Sequence, residues 1–249
     1  MVLFKLLRFL TMRFCGWLIL KVKFIIYLCT IYKINVLLCL GVVTKNAELE
    51  ARNSRISTGN TYIRWGRSTC PSETGARVLY DGYVGGSNHL HTGGGSNYLC
   101  LPRDPDLVNI VGGSRSILYG AEYELGSTDS PMNGLQDEEV PCVVCYTPNT
   151  NVVMIPAKHS CYVGWVLEYS GFLMSESSSH LGRTTYVCVD GEAEGLDDSH
   201  GNQNGALFYF VETRCSSLPC GPYQDYYELT CAVCSLPLAM VYNEPNNEA

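Results

Sequence analysis

Beyond residue 60 the chain consists of short hydrophobic runs, rich in Val, Tyr, Ile and Thr, that are bounded by Gly, Asn or Pro. Runs of this kind are typical of β-strands joined by turns. No window keeps the 3.6-residue period of an amphipathic helix. The sequence therefore predicts an all-β fold. The predicted strands are TYIRW, ARVLYDGYVGG, SILYGAEYEL, PCVVC, TNVVMIP, GWVLEYSGFLM, TTYVCV, GALFYFVET and YYELTCAVC.

One order of features occurs twice along the chain, which indicates an internal repeat. Each copy contains a cysteine, a hydrophobic strand, a second cysteine, an aromatic strand and a Cys-x-x-Cys motif. We expect two pseudo-repeated, disulfide-stapled β subdomains, residues 62–150 and residues 151–249, the second ending in a short polar tail. The repeated cysteines are Cys70, Cys100, Cys142 and Cys145 in the first copy and Cys161, Cys188, Cys231 and Cys234 in the second.

Residues 1–45 predict a signal peptide or a signal anchor, and residues 46–61 a polar linker. The first 45 residues contain seven basic side chains and no acidic one. The apolar stretch 24–43 is interrupted by Lys33, yet its Leu, Ile, Val and Phe content favours membrane insertion. Because the basic residues precede this stretch, the positive-inside rule places the rest of the chain in the lumen or outside the cell. A cleaved signal peptide, a retained anchor and a buried helix of the fold all stay open.

Charge and cysteine content limit the functions that are possible for the chain after residue 45. It carries 10 basic and 24 acidic residues, a formal charge of 10 − 24 = −14. Phosphate binding needs clustered Lys and Arg, so this balance argues against a nucleic-acid surface. Membrane contact is expected only through the leader. The ten cysteines of this part, an even number, favour an extracellular protein made in the secretory pathway.

The two Cys-x-x-Cys motifs allow three interpretations. Zinc coordination suits two thiolates at this spacing, although the motifs are far apart for a zinc ribbon. A redox site requires a low-pKa thiol at a helix start, whereas both motifs lie in Val-rich predicted strands. In a strand, residues i and i+3 point to opposite faces, so each cysteine would find its own distant partner. Structural disulfides are the favoured interpretation.

A longer string of motifs resembles a known family. It comprises RWGRSTCP, YDGYVGGSNHLHTGGGSNYLCLPRDP, YGAEYE, PCVVC, MIPAKHSC, LEYSGFLMSE, GRTTYVCVD and ALFYFVE, and it covers about residues 62–236. The repeated order of cysteines and strands is similar to the tandem C-terminal non-collagenous domain of type IV collagen. The full string is more similar still to the short-chain, type IV-like collagen proteins of sponges and cnidarians.

The resemblance implies a disulfide pairing at the matching positions. Cys215 and Cys220 follow the second aromatic strand, where the family has no cysteine pair, and we pair them because they are close and no other cysteine remains. The implied pairs are Cys70 with Cys145, Cys100 with Cys142, Cys161 with Cys234, and Cys188 with Cys231.

The resemblance also implies self-assembly. In the family, a hairpin between the aromatic strand and the Cys-x-Val-Cys motif adds strands to the sheet of a neighbouring subunit. The matching segments here are residues 126–141 and residues 216–230. We expect a weak, non-covalent trimer, with a monomer as the alternative, because the first segment is acidic and only Met132 is present for the family's Met–Lys cross-link. No Gly-X-Y tract precedes Tyr62, so the expected protein is the assembly module without a collagen rod.

The sequence gives weaker indications of metal binding and sugar binding. His89 and His91 would share one face of a strand and bind a metal, or would be an ordinary loop pair. The acidic run Asp190-Gly-Glu-Ala-Glu-Gly195 begins like a Ca²⁺ loop, but Gly201 stands where a bidentate Glu would close it. Aromatic side chains near glycines either stack sugars or pack in the core. They are Trp65, Tyr83, Tyr98, Trp165 and Tyr169.

The sequence contains no Gly-x-Ser-x-Gly, His-Glu-x-x-His or P-loop motif, so we expect no enzymatic activity, catalytic residue, metal or cofactor. The expected function is a secreted, non-enzymatic extracellular-matrix or adhesion module. Its expected partners are further copies of the chain or other matrix proteins. The alternative is a secreted lectin-like protein that binds glycans in defence or recognition.

Overall fold

The computed structural model describes residues 59–109, 112–126, 131–196 and 201–237, together with Lys45 and Ser199. Apart from Lys45 and residues 59–61, the predicted leader and linker therefore lie outside the described residues. The described residues from Gly59 onward belong to one compact unit. Among the described residues no helix is long and apolar enough to span a bilayer.

The described chain is all-β, which confirms the predicted fold class. Within the described parts of residues 59–237, the strands are interrupted by a single 3-10 turn, Ser72–Thr74. The strands are β1 (Asn60–Trp65), β2 (Arg77–Gly86), β3 (Leu99–Pro102), β4 (Tyr119–Tyr123), β5 (Pro141–Thr147), β6 (Thr150–Pro156), β7 (Val166–Ser175), β8 (Val187–Asp190), β9 (Ala206–Phe210) and β10 (Thr230–Leu236).

Each predicted run overlaps one of these strands, and the run TNVVMIP coincides with β6. The sequence prediction missed β3. This strand is four residues long, ends in proline and pairs only with β2. Short edge strands with proline give little hydrophobic alternation, which is why the pattern did not reveal it.

Strand pairing follows the same scheme in the two halves of the chain. In the first half β5 lies between β1 and β2, and β2 also pairs with β3 and β4. In the second half β10 lies between β6 and β7, and β7 also pairs with β8 and β9. All eight of these pairings are antiparallel.

Two glycines at corresponding places allow strands to approach closely. A Cβ atom on Gly82 of β2 would collide with the carbonyl oxygen of Leu101 in β3. A Cβ atom on Gly171 of β7 would collide in the same way with the carbonyl oxygen of Val189 in β8. Any larger residue at either position would push the short neighbouring strand away.

Parallel contacts join the two halves. Strands β4 and β9 pair in parallel over three positions, and β1 meets β8 at Trp65 and Val189. The sheet path therefore runs β6-β10-β7-β8-β1-β5-β2-β4-β9, and β9 returns to β7. The main hydrophobic cluster contains residues of both halves, including Tyr98 and Phe208, whose ring centres are 4.2 Å apart. The halves consequently share one core.

Buried polar groups also link the halves. Arg64 of β1 donates through Nε to Asp190 at the end of β8, at 2.7 Å, and both side chains are largely shielded. Glu168 of β7 is 2% exposed and accepts hydrogen bonds from four hydroxyl groups. The donors are Thr147 and Ser235 to Oε1, at 2.8 and 2.6 Å, and Tyr62 and Thr74 to Oε2, at 2.9 and 2.8 Å.

The charge of Glu168 affects its tyrosine partner. Burial and the neighbouring carboxylate raise the pKa of Tyr62 above its ordinary value, so its hydroxyl remains a donor at physiological pH. A buried carboxylate with two donors on each oxygen is well satisfied, which offsets the cost of removing it from water.

Candidate functional site

Five disulfides are present in the described chain. They are Cys70–Cys145, Cys100–Cys142, Cys161–Cys234, Cys188–Cys231 and Cys215–Cys220. These are the four pairs that the family resemblance implies and the fifth pair inferred from proximity. Within each Cys-x-x-Cys motif the two cysteines have different, distant partners. A set of this size indicates that the protein matures in an oxidising environment.

The two segments matched to the family's exchange hairpin have different surroundings. The described part of the first, residues 131–141, packs on its own chain. Its Met132 is 4% exposed, and its backbone pairs with β4 through Val140 N–H to the Ala121 carbonyl, at 3.0 Å. The side chain of Gln136 accepts a bond from the Leu125 N–H, at 2.7 Å, and fixes the tip of the segment. The described part of this segment is therefore braced against its own chain.

The second segment instead presents aromatic side chains to solvent. We call residues 214–227 the tyrosine arm. Tyr226 and Tyr227 are 68% and 61% exposed. The guanidinium of Arg214 lies 3.4 Å from the centre of the Tyr226 ring and forms an ion pair with Glu212 at 3.7 Å. Tyrosine and arginine are the residues most enriched at the energetic centres of protein interfaces.

Backbone bonds and the fifth disulfide brace the tyrosine arm. Two backbone hydrogen bonds join the ends of the arm. The Tyr226 N–H donates to the Thr213 carbonyl, and the Thr213 N–H donates to the Tyr227 carbonyl, both at 3.0 Å. The Asp225 carboxylate accepts the Cys215 N–H at 2.7 Å. Tyr226 has a φ of 65°, a left-handed conformation that a bulky side chain adopts only when its surroundings impose it. The arm is thus preorganised to present its two rings.

The sequence analysis matched residues 216–230 to the family's hairpin but did not identify the two exposed tyrosines. It assigned Tyr226 and Tyr227 to the strand YYELTCAVC, whereas β10 begins only at Thr230. The signal that was available is the spacing of Cys215 and Cys220 with Pro219 and Pro222 beside them. A short disulfide loop with prolines is typical of a projecting turn rather than a strand.

The two candidate histidines lie in the loop between β2 and β3, residues 87–98, and they contact different groups. The His91 ring packs edge-on against Tyr119, with centres 5.6 Å apart. The His89 ring instead lies against His180 of the loop between β7 and β8. The structure therefore does not bring His89 and His91 together on one strand face. No group of three or more His, Cys, Asp or Glu side chains in the described residues is placed to hold a metal ion.

The acidic run after β8 forms internal bonds. Asp190 accepts Arg64 and the Glu192 N–H, at 2.7 and 2.8 Å. Glu194 accepts both the N–H and the hydroxyl of Ser68, at 2.7 and 2.5 Å. Asp190 therefore ties the end of β8 to β1, and Glu194 anchors the loop after β8 to the loop after β1.

Of the five aromatic residues considered for sugar stacking, three are buried. Trp65, Tyr98 and Tyr169 are at most 8% exposed, whereas Tyr83 is 40% exposed. Tyr83 lines a cleft of about 690 Å³ at the junction of the halves, and the Arg103 guanidinium lies 5.0 Å from its ring centre. The hydrogen bond from Arg103 to Asp81, at 2.5 Å, raises the pKa of Arg103 and fixes its charge beside the cleft. The other lining residues are Ser68, Glu139, Pro141, Glu194, Gly195 and Leu196.

Comparison with known proteins assigns neither a family nor a function to this chain. No protein-family model matches the chain, and no curated protein is significantly similar to it. The function must therefore be inferred from the fold, the five disulfides, the tyrosine arm and the Tyr83 cleft.

Proposed function

We propose that this protein is a secreted, non-enzymatic module of the extracellular matrix or of cell adhesion, and that it self-associates through the tyrosine arm. The observation that carries the proposal is the pair of exposed tyrosines on a hairpin braced by a disulfide. A preorganised aromatic surface loses little conformational entropy on association, so its contact area is converted efficiently into affinity.

The position of the arm also supports the proposal. It lies between β9 and β10, the place at which the resembling collagen domain inserts a hairpin into its neighbour. The equivalent tip in the first half is held against its own chain by Met132 and Gln136. The proposed module therefore associates through one arm per chain, and we expect a weak, non-covalent trimer.

The arm can be tested by measuring the mass of the full-length protein in solution. The double variant Tyr226→Ser/Tyr227→Ser removes both rings, and we expect it to be monomeric at micromolar concentrations at which the natural protein is a trimer. Tyr186→Ser is the matched control because Tyr186 is 62% exposed and lies outside the arm. We expect this control to associate normally. A natural protein that is monomeric over the whole micromolar range would contradict the assembly function.

A second candidate function is lectin-like glycan binding in the Tyr83 cleft. The volume of the cleft is that of a small-molecule site, and its lining combines a partly exposed aromatic ring with charged and hydroxyl groups. Tyr83 would contact the apolar face of a sugar, while Arg103, Glu194 and Ser68 would lie within reach of its hydroxyls. The cleft supports this function independently of the tyrosine arm.

A glycan array probed with the full-length protein tests the second candidate. If the cleft binds a glycan, Tyr83→Ala is expected to weaken that binding at least about tenfold, because an aromatic contact and the position of Arg103 are lost together. The control Tyr186→Ala should bind as the natural protein does. Absence of any glycan signal, or binding that survives Tyr83→Ala, would exclude the cleft as the lectin site.

A further inference from the structure

Two loops of the separate halves bring a pair of histidines together. His89 follows β2 and His180 follows β7, and their ring centres are 4.8 Å apart. The loops are tied by a hydrogen bond from the Gly182 N–H to the His89 carbonyl, at 2.8 Å. A Cβ atom on Gly182 would lie 3.0 Å from the carbonyl oxygen of Asn88, so glycine permits this close approach.

Both imidazoles use Nδ1 in a hydrogen bond to an acceptor. His180 Nδ1 lies 2.8 Å from the Glu176 carboxylate, and His89 Nδ1 lies 3.0 Å from the Asn204 carbonyl oxygen. Since a carboxylate and a carbonyl only accept, both Nδ1 atoms carry hydrogen. In the neutral rings each Nε2 then keeps a lone pair. Histidines that bind metals have this arrangement, in which a carboxylate or carbonyl behind the ring fixes the tautomer and raises the basicity of the ligating nitrogen.

The carboxylate behind His180 is rigidly held and carries a charge that a cation would complement. The side chain of Glu176 is 2% exposed. It also accepts the N–H groups of Ser177 and Leu207, at 2.9 and 3.2 Å. Among the described residues its ion pair is with His180. A cation on the far side of the imidazole would interact favourably with this buried charge through the ring.

The spacing of the rings suits two ligands of one ion. With metal–nitrogen bonds of about 2.0–2.1 Å, two imidazoles on a tetrahedral ion have ring centres about 5 Å apart. The observed 4.8 Å is close to this value. The side chain of His180 is 23% exposed, so solvent and ions reach the pair. The His180 ring also packs edge-on against Tyr209, with centres 5.6 Å apart, which restricts its rotation.

We propose that His89 and His180 together bind one divalent transition-metal ion through their Nε2 atoms, with water in the remaining coordination positions. Imidazole favours zinc, copper and nickel, whereas Ca²⁺ and Mg²⁺ prefer oxygen ligands. With two protein ligands the site binds more weakly than zinc centres with three or four, and we expect a Kd for zinc below about 1 mM. Because each half contributes one histidine, the ion cross-links the two halves beside the β4–β9 contact. This site is independent of the proposed assembly function.

Zinc titration by calorimetry tests the site on full-length, oxidised protein without a polyhistidine tag. His89→Asn and His180→Asn should each weaken zinc binding at least about tenfold, because one of two ligands is lost. His91→Asn is the matched control, since His91 lies in the same loop as His89 and contacts Tyr119 instead. We expect zinc binding of the control to remain within twofold of the natural protein.

A spectrum of the natural protein makes the outcome independent of variant folding, and one further variant tests the carboxylate. Copper bound to the natural protein should give an electron paramagnetic resonance spectrum with hyperfine structure from two imidazole nitrogens. Glu176→Gln should weaken zinc binding about tenfold or more if the carboxylate acts behind His180, with Cu²⁺ still bound by two nitrogens. The proposal is overturned by a zinc affinity of the natural protein weaker than about 1 mM, by a His89 or His180 variant that binds zinc as tightly as the natural protein, or by a spectrum with fewer than two imidazole nitrogens.

Discussion

Replacing Glu168 by alanine is expected to lower the free energy of unfolding by at least about 3 kcal/mol, a loss that few single substitutions reach. Four hydroxyl donors converge on this buried carboxylate, and each donor left dry and unsatisfied costs roughly 1–3 kcal/mol. The hydroxyls can rotate and some can bond one another, so the total is smaller than four full penalties. Denaturant unfolding of the oxidised, full-length protein measures the loss.

Two variants define the cause of that loss. Glu168→Gln keeps one oxygen acceptor and places an amide donor where the other oxygen stood, so we expect a smaller loss than for alanine. Glu192→Ala removes an exposed carboxylate and should change stability by no more than about 0.5 kcal/mol. If the free energy of unfolding of Glu168→Ala lies within about 1 kcal/mol of the natural value, the four hydroxyls must bond to other acceptors or to water.

Removing the Cys70–Cys145 disulfide in the double variant Cys70→Ala/Cys145→Ala is expected to cost roughly 4–5 kcal/mol by the chain-entropy relation. This bond closes a loop with a sequence separation of 75, and its Cys145 is fully buried. We expect the equivalent variant of Cys161 and Cys234, with a separation of 73, to lose a similar amount. Both variants should accumulate in the cell and be depleted from the medium.

The fifth disulfide supplies the matched control. Cys215 and Cys220 are separated by only five positions, so the same relation gives about 2 kcal/mol for their removal. This bond lies in the exposed tyrosine arm, and its loss should disturb self-association more than global unfolding. Equal unfolding free energies for the long-loop and short-loop variants would contradict the chain-entropy explanation. Recovery of free thiols from the unreduced natural protein would contradict the disulfides themselves.

Strand positions were the part of the fold most accessible from sequence. Alternation in runs such as TNVVMIP depends on neighbours two residues apart, and that local pattern located β6 without any knowledge of its partner. The predicted strand boundaries were wrong where the local hydrophobic pattern extends beyond the residues that pair with another strand. The run YYELTCAVC continues the alternation back to Tyr226, but the backbone there turns into the arm and β10 starts at Thr230.

The cysteine framework was also accessible, although through the resemblance to a family rather than through geometry. Spacing alone left zinc, redox and disulfide interpretations open. Periodicity did establish that two cysteines three apart in a strand face opposite sides, and each does have its own partner.

The sequence by itself determined the β class and the positions of most strands, because these follow from local alternation, whereas the cysteine pairing was implied by the resemblance to a family. Only the tertiary structure decided which side chains meet. The residues around Glu168 come from β1, the 3-10 turn, β5, β7 and β10, and His89 meets His180 across the two halves. Such contacts depend on strand order and on the parallel joints β1–β8 and β4–β9. No local pattern encodes them, because a residue's own neighbours along the chain carry no information about which distant strand will lie beside it.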